Sequence, residues 1–468
     1  MSLFTKATSL FSLLRRAIKG TEENFTEGNI DRAIFLLSVP MILEMLMESL
    51  FAVVDVFYVS RLNDNDAVAT VGLTESVLTL VYSIAIGVSM GATAMVARRV
   101  GEKNIKDASV AGLHAIYIGI GFSVVVGSVG LIFAKDILLL LGASGALVEK
   151  GSGYTRWMFG GNLSIMMLFI INAVFRGAGN ASIAMRSLWL SNGLNILLDP
   201  IFIFGFGAVP AFGVEGAAIA TTIGRSCGVV FQLYYLIKGK GLIKIHRDNL
   251  AVQWNLVGKL LKLGAGGTSQ FLIASASWIF LIRIISTFGS GALAGYTIAI
   301  RVIVFAILPA WGMANAAATL VGQNLGAGLP GRAEKSVWRA AFFNMVFLGS
   351  VSIAFFLLAE RIVVVFTSDT EVLRYGIRCL QIVCLGYIFF AYGMVIGQSF
   401  NGAGDTRTPT ILNFFGFWIL QIPLAYWLGI LSGFGPTGVY IAICVAESIL
   451  AITSIMVFRQ GRWKTVKV

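Results

Sequence analysis

The chain has 468 residues, 57% of them hydrophobic and 12% charged, with a net charge of +12. Soluble domains carry about 25% charged residues, so half that share excludes an ordinary water-soluble globular protein. The mean hydropathy of +0.85, with apolar runs recurring at the roughly 20 residues a bilayer demands, indicates a polytopic membrane protein.

Residues 1–32 precede the first such run. "SLFTKATSLFSLLRRAIKG" has a basic flank and apolar residues at helical spacing. It lacks the apolar core and small-residue cleavage site of a secretory signal, and reads as a cytoplasmic, interfacial amphipathic helix. Six spans follow at about 33–59, 69–94, 108–133, 154–174, 183–205 and 213–237. A basic, polar connector, 238–253, contains Lys240, His246 and Arg247. Six more spans follow at about 258–287, 292–313, 337–358, 376–400, 409–430 and 437–458, with a tail at 459–468. Fifty-three glycines against eight prolines suit membrane helices whose backbones approach closely. The four cysteines, Cys227, Cys379, Cys384 and Cys444, all fall within spans and read as small buried residues rather than a disulfide or metal framework.

Charge placement orients the chain. Arg15, Arg16 and Arg32 before span one, Arg98, Arg99 and Lys103 after span two, the connector, Arg332 and Arg339, and Arg459 to Lys467 form the basic set of loops. The positive-inside rule places these, and both termini, in the cytoplasm. The net positive charge is then juxtamembrane anchoring to anionic lipid and requires no nucleic acid.

The chain also repeats itself. "FRGAGNASIA" at Phe175–Ala184 and "FNGAGDTRTP" at Phe400–Pro409 lie 225 positions apart. The same slide lays "VARRVGEKNIKDA" (96–108) on "VGQNLGAGLPGRA" (321–333), and Gly213-Val214 on Gly438-Val439. One ungapped offset across three loops divides the chain into an N-lobe, 33–237, and a C-lobe, 254–458. Six spans is an even number, so the halves are parallel repeats, the layout of alternating-access transporters. The predicted class is an all-α membrane protein of twelve transmembrane helices in two six-helix lobes. The Gly-Ala-Gly loops are expected as cytoplasmic turns, with Gly177 and Gly402 at positive φ; without a following strand and lysine they are no phosphate cradle.

Polar residues inside the spans are costly and therefore functional candidates. At about 100° per residue, Glu44, Glu48 and Asp55 of span one share a helix face. Span five carries Asn195 and Asp199 one turn apart, with Asn192 nearby and Pro200 interrupting the ladder; span four ends near Asn172, and span six holds Thr221 and Thr222. Under the 225-residue slide, Glu44, Glu48, Asp55 and Asp199 meet Ser269, Ile273, Phe280 and Leu424. Carboxylates in one lobe only are what a coupling-ion site in that lobe would leave. A carboxylate in apolar surroundings binds and releases a proton near neutral pH, while carboxylates with Asn and Thr oxygens also suit a hard cation.

The stretches "DRAIFLLSVPMILEMLMESLFAVVDVFYVSRL" (31–62), "FRGAGNASIAM" with "FNGAGDTRTPT", and "NILLDPIFIFGFG" at 195–207 resemble the multidrug and toxic compound extrusion (MATE) family, over about residues 29–458. The loop after span two, "RRVGEKNIKDA", departs from the major-facilitator signature. The resemblance implies two six-helix bundles in a V around a central cavity, in a non-enzymatic, plasma-membrane antiporter. It would export drugs or toxic organic compounds against H+ or Na+, as a monomer without cofactor. It further implies ion coupling by Asp55, Asn172, Asn195, Asp199 and Thr221; were the ion Na+, its ligands would be Asp55, Asn172, Asn195 and Asp199. Glu44, Glu48 and Tyr154 fall to the substrate cavity. Spans seven and ten lack acidic residues, which resembles the DinF-like branch. Two other classes fit these residues less well: a lipid-linked-substrate flippase of the same superfamily, which would show more basic cavity residues, and an intramembrane enzyme, for which His114 and His246 lie far apart in the chain.

Overall fold

The computed structural model describes residues 3–20, 24–62, 64–239, 241–245 and 250–468. Residues 1–2 and 21–23 of the N-terminal segment, and Lys240, His246 and Arg247 of the connector, lie outside them. Among the described residues there is no β-strand, only an isolated bridge between Phe206 and Val209.

The helices are α1 (Leu3–Lys19), α2 (Ile30–Ser60), α3 (Asn65–Gly101), α4 (Ile105–Leu140), α5 (Gly145–Gly160), α6 (Asn162–Gly177), α7 (Ala181–Phe204) and α8 (Val214–Lys238). After the connector come α9 (Trp254–Ser286), α10 (Ser290–Gly326), α11 (Pro330–Val364), α12 (Thr370–Cys384), α13 (Tyr387–Ala403), α14 (Arg407–Leu431) and α15 (Pro436–Arg459). Among the described residues ten spans are long and apolar enough to cross a membrane, α5 with α6 counting as one, and α12 with α13, bent by 58°, makes an eleventh. The one expected span left over, the sixth, is α8; it falls outside that apolar set, because Glu215, Arg225, Gln232 and a run of small and hydroxylated residues dilute it.

The repeat is legible helix by helix. Asn65 and Ser290 open α3 and α10, and Gly101 and Gly326 close them, each 225 positions apart. α3 packs on α4, α5 and α6 as α10 packs on α11, α12 and α13. In the last span the register differs from the sequence reading. Gly213 and Gly435, both at positive φ, precede α8 and α15. A Cβ on Gly216 would strike the Phe202 carbonyl, and one on Gly438 that of Leu428. Gly213 is therefore equivalent to Gly435 rather than Gly438, the second loop being three residues shorter.

The Gly-Ala-Gly turns also divide their labour differently. Gly177 and Gly402 sit inside α6 and α13, and their value is close approach. A Cβ there would lie 2.9 Å from the Thr93 carbonyl oxygen of α3 and 2.2 Å from that of Ala318 of α10, a pair again 225 apart. The left-handed conformation belongs to the third residues, Gly179 (φ 85°) and Gly404 (φ 87°), which end the helices where a side chain would be strained.

The helices form two compact units, which do not coincide with a simple cut of the chain. The first comprises residues up to Asn24 and Leu43–Thr268; the second comprises Phe25–Ile42 and Ser269–Val468. The opening turns of α2 thus belong to the second unit, and those of α9 to the first. In the first unit, Arg186 of α7 donates from Nη2 to the Ile18 and Lys19 carbonyls, capping the C-terminus of α1. In the second, Arg339 Nε donates to Asp31 at 2.7 Å. Its core includes Leu281, Leu348, Leu380 and the stacked rings of Tyr296 and Tyr440, 6.3 Å apart.

Candidate functional site

The interior charge of the first unit is arranged in three levels along α2, because Glu44, Glu48 and Asp55 share one face of that helix.

At the first level Glu44, 1% exposed, accepts at Oε1 from Asn172 Nδ2 and from Arg176 Nη1, both at 3.0 Å. Asn172 Oδ1 in turn accepts from Ser187 Oγ at 2.9 Å and Gln232 Nε2 at 2.6 Å. α2, α6, α7 and α8 are thereby stitched by one buried network. A buried carboxylate is costly unless paired and hydrogen-bonded; Arg176 and Asn172 supply that at Oε1, while Oε2 has no partner among the described residues.

At the second level the half-buried Glu48 accepts at Oε2 from Asn192 Nδ2 at 2.9 Å and faces Arg225 Nη2 from Oε1 at 3.6 Å. Arg225 is 2% exposed, with the rings of Phe51 and Tyr82 at 5.5 and 5.9 Å from its guanidinium carbon, within cation–π range.

At the third level Asn195 Nδ2 donates to Asp199 Oδ1 at 3.2 Å and to Thr221 Oγ1 at 3.0 Å. Asp199 is fully buried, and its Oδ2 and the Asn195 Oδ1 have no hydrogen-bond partner among the described residues. α7 runs through Pro200 as far as Phe204, so the proline removes one donor from the ladder without ending the helix. Asp55 is buried within electrostatic reach of Glu75, Arg225 and Asp199. Tyr154, 2% exposed, feels the same carboxylates.

Of the residues singled out from sequence, Asn195, Asp199 and Thr221 form one hydrogen-bonded set, with Asp55 and Tyr154 close by in charge terms. Asn172 is bonded to Glu44, a level away, rather than to either aspartate. Glu48 is joined to Asn192 and Arg225. Two carboxylate or guanidinium participants, besides the neutral Ser187 and Gln232, escaped the sequence reading. Glu75, on α3 with an exposed side chain, acts electrostatically on Asp55 and Arg225. Arg176 neutralises Glu44. The rule that exposed Asp55, an ionisable group inside an apolar run, applies equally to Glu75 in "VGLTESVLTL". Glu215 pairs locally, accepting from Trp157 Nε1 at 2.8 Å.

The second unit repeats the first level without charge. Gln270 and Asn401 exchange amide hydrogen bonds at 2.9 and 3.1 Å, Asn401 standing where the first half has Arg176. Among the described residues no group of three or more His, Cys, Asp or Glu is assembled as a metal site.

An internally duplicated, polytopic helical membrane protein, its buried ionisable network confined to one of two repeated units, is the class defined by these features. The MatE family pattern matches residues 40–201 and 268–427, more than half of the sequence, and the chain belongs to that family. The probable multidrug resistance protein NorM of Thermotoga maritima is 26% identical over 436 residues, covering 93% of both chains. The multidrug export protein MepA of Staphylococcus aureus is 25% identical, covering 92% of this chain and 94% of its own. Among solved structures, MATE in the straight conformation superposes with a TM-score of 0.89 at 26% identity, over 94% of this chain and 98% of that one. An outward-facing multidrug resistance MATE family transporter of the MOP superfamily gives the same score, identity and coverage.

Proposed function

We propose that the protein is a secondary active antiporter of the DinF-like branch, exporting cationic or amphipathic organic compounds in exchange for H+ or Na+. Coupling resides in the first repeat, the termini lie in the cytoplasm, the chain acts as a monomer in the plasma membrane, and no cofactor or nucleic acid takes part. The observation that carries the reading is that Asp55, Glu48 and Asp199 have only neutral partners under the repeat. The relatives' names as multidrug resistance and export proteins support the substrate class.

Asp55 and Asp199 are the ion-accepting pair, with Asn195 and Thr221 as the polar surround. Two ionised carboxylates in one confined region raise each other's affinity for a positive charge. Loading an ion removes negative charge, repacks α2 and weakens the hold on a cationic compound. Such coupling is reciprocal, so the compound promotes ion release. Glu48 and Tyr154 line the compound's path, while Glu44 and Asn172 fasten α2 to its neighbours.

The test is uptake of a fluorescent organic cation into inverted vesicles under an imposed proton or sodium gradient. Uptake driven by either ion supports antiport. Uptake indifferent to both, or movement of a lipid-linked sugar instead, overturns it in favour of a flippase.

A further inference from the structure

Glu447 is an ionisable group in the middle of a span of the second unit, and the mechanism above gives it no task. We propose that Glu447 and Gln421 form a proton-binding site of the second unit, so that the exchange carries a proton there besides the ion taken by the first repeat. The inference rests on the antiporter reading and adds to it a site that the residues of the first unit do not supply.

Four observations carry it. First, the two residues share a depth. Glu447 is the twelfth of the 24 residues of α15 and Gln421 the fifteenth of the 25 of α14. Both therefore stand near the bilayer midplane, where transporters hold their coupling ions. Side chains built on Gly416 and Gly429 of α14 would meet Leu450 and Val439 of α15, and these antiparallel contacts bring Gln421 and Glu447 to one level.

Second, Glu447 points inward. Cys444 and Ala451 face Gly386 and Gly393 of α13, and Leu450 faces Gly416 of α14. At about 100° per residue, Glu447 lies between these directions, aimed into the unit, and it is half-buried. Of the titratable groups on the elements packed against α15, α13 carries only Tyr387 and Tyr392, and α14 beyond its first residue only Tyr426. The last turn of α12 carries Cys384, its Glu371, Arg374 and Arg378 belonging to earlier turns, and α15 itself carries Cys444. No hydrogen bond or opposite charge compensates the burial of Glu447.

Third, Gln421 is 1% exposed, yet neither its Oε1 nor its Nε2 has a hydrogen-bond partner among the described residues. It closes a stretch of π-helix, Phe414–Gln421, a winding that recurs at functional sites. A buried amide free at both ends suits a neighbour that changes protonation: Oε1 accepts from the protonated acid, and after rotation Nε2 donates to the ionised one.

Fourth, these positions meet in the first unit. Gln421 stands seven residues before Leu428, as Asn195 does before Phe202, and those two carbonyls are the equivalent contacts of Gly438 and Gly216. Glu447 stands nine residues after Gly438, as Arg225 does after Gly216. A Cβ on Gly224, next to Arg225, would lie 3.2 Å from that of Asn195. The second unit thus sets an acid beside an amide where the first sets Arg225 beside Asn195.

One carboxylate and one amide oxygen are too few for a hard cation, which needs several converging oxygens, whereas a proton needs one. An ionised carboxylate buried without a partner is costly. Glu447 accordingly holds its proton while the unit is closed and yields it to water when compound binding lets water in, the charge left behind being met by Gln421 Nε2.

The experiment counts protons released when saturating tetraphenylphosphonium is added to the purified full-length protein in weakly buffered detergent solution, across the pH range in which the protein is stable. Wild type should release one proton more than Glu447→Gln, and Asp55→Asn should still release the proton of Glu447. Equal release by wild type and Glu447→Gln, or none by Asp55→Asn, overturns the proposal. Should Glu447→Gln fail to fold, Gln421→Leu takes its place: loss of one proton supports the site, and full release overturns it. Release from no variant, wild type included, removes the antiporter reading. The site is then judged by infrared difference spectra, in which a carboxyl band that titrates in the wild type and is missing from Glu447→Gln, or shifted in Gln421→Leu, supports it, and an unaltered band overturns it.

Discussion

The Glu44–Arg176 contact offers the sharpest quantitative test of the interior network. Glu44 is 1% exposed and the Arg176 side chain 11%, so neither member can be rescued by water when its partner is lost. Breaking a buried ion pair from one side costs about 3–5 kcal/mol. Glu44→Gln retains an acceptor for Asn172 and should lie lower, at about 2–3 kcal/mol, because hydrogen bonds inside membranes are individually worth about 0.6 kcal/mol. Arg176→Gln leaves the carboxylate with Asn172 alone and should fall in the same range. At about 2–4 °C per kcal/mol for units of 150–250 residues, each variant should melt about 4–12 °C lower in detergent. The double variant removes both charges together, so its loss should be smaller than the sum by about 1–3 kcal/mol. Thermal melting of the four proteins in one detergent at one pH supplies the cycle. Additivity within about 0.5 kcal/mol would show that the two side chains do not act as a pair, and the stitching role of Asn172, Ser187 and Gln232 would fall with it.

Further expectations follow from the same geometry. Asp55→Asn should insert and fold yet lose gradient-driven export, measured as efflux at matched expression; full efflux would remove Asp55 and direct attention to Glu48. Glu75→Gln should lower export at least several-fold while leaving the melting temperature within about 2 °C, since its side chain is exposed; unchanged efflux would make Glu75 a bystander. Gly402→Ala should destabilise by about 1–3 kcal/mol through overpacking against Ala318, whereas Gly397→Ala, with nothing within 4 Å of the new methyl, should be neutral in the same melting assay. Lys103, at φ 59°, occupies the left-handed position that Gly328 fills in the second repeat. Lys103→Gly should therefore raise stability by up to about 1 kcal/mol, and a lower melting temperature would refute the strain.

Hydropathy and the ungapped slide made the helix count and the duplication legible before any coordinates, because both are properties of composition and spacing. α8 was the partial exception, its polar residues blurring a span that packing against α7 maintains. The first-level network was not legible. Sequence places Asn172 near the end of its span but says nothing of the rotation of α6 about its axis, and that rotation delivers it to Glu44 rather than to the aspartates. Within one helix the periodicity of α2 carried the three acids correctly to one face; between helices no periodicity operates. The positive φ went to Gly179 and Gly404 instead of Gly177 and Gly402 for a related reason, since a Gly-x-Gly string does not say which glycine serves the turn and which the neighbouring helix.

The division of α2 and α9 between the units sets an order of events during synthesis. The first unit needs residues up to Thr268, so it remains unfinished when its own last span, α8, has been made and the connector is emerging. Its completion waits for the opening turns of α9. The second unit has the opposite schedule: its earliest piece, residues 25–42, is made before almost everything else and must be kept until α10 and its successors arrive. Each unit of this duplicated chain thus contains a piece made with the other half, and both are incomplete while the connector is being synthesised.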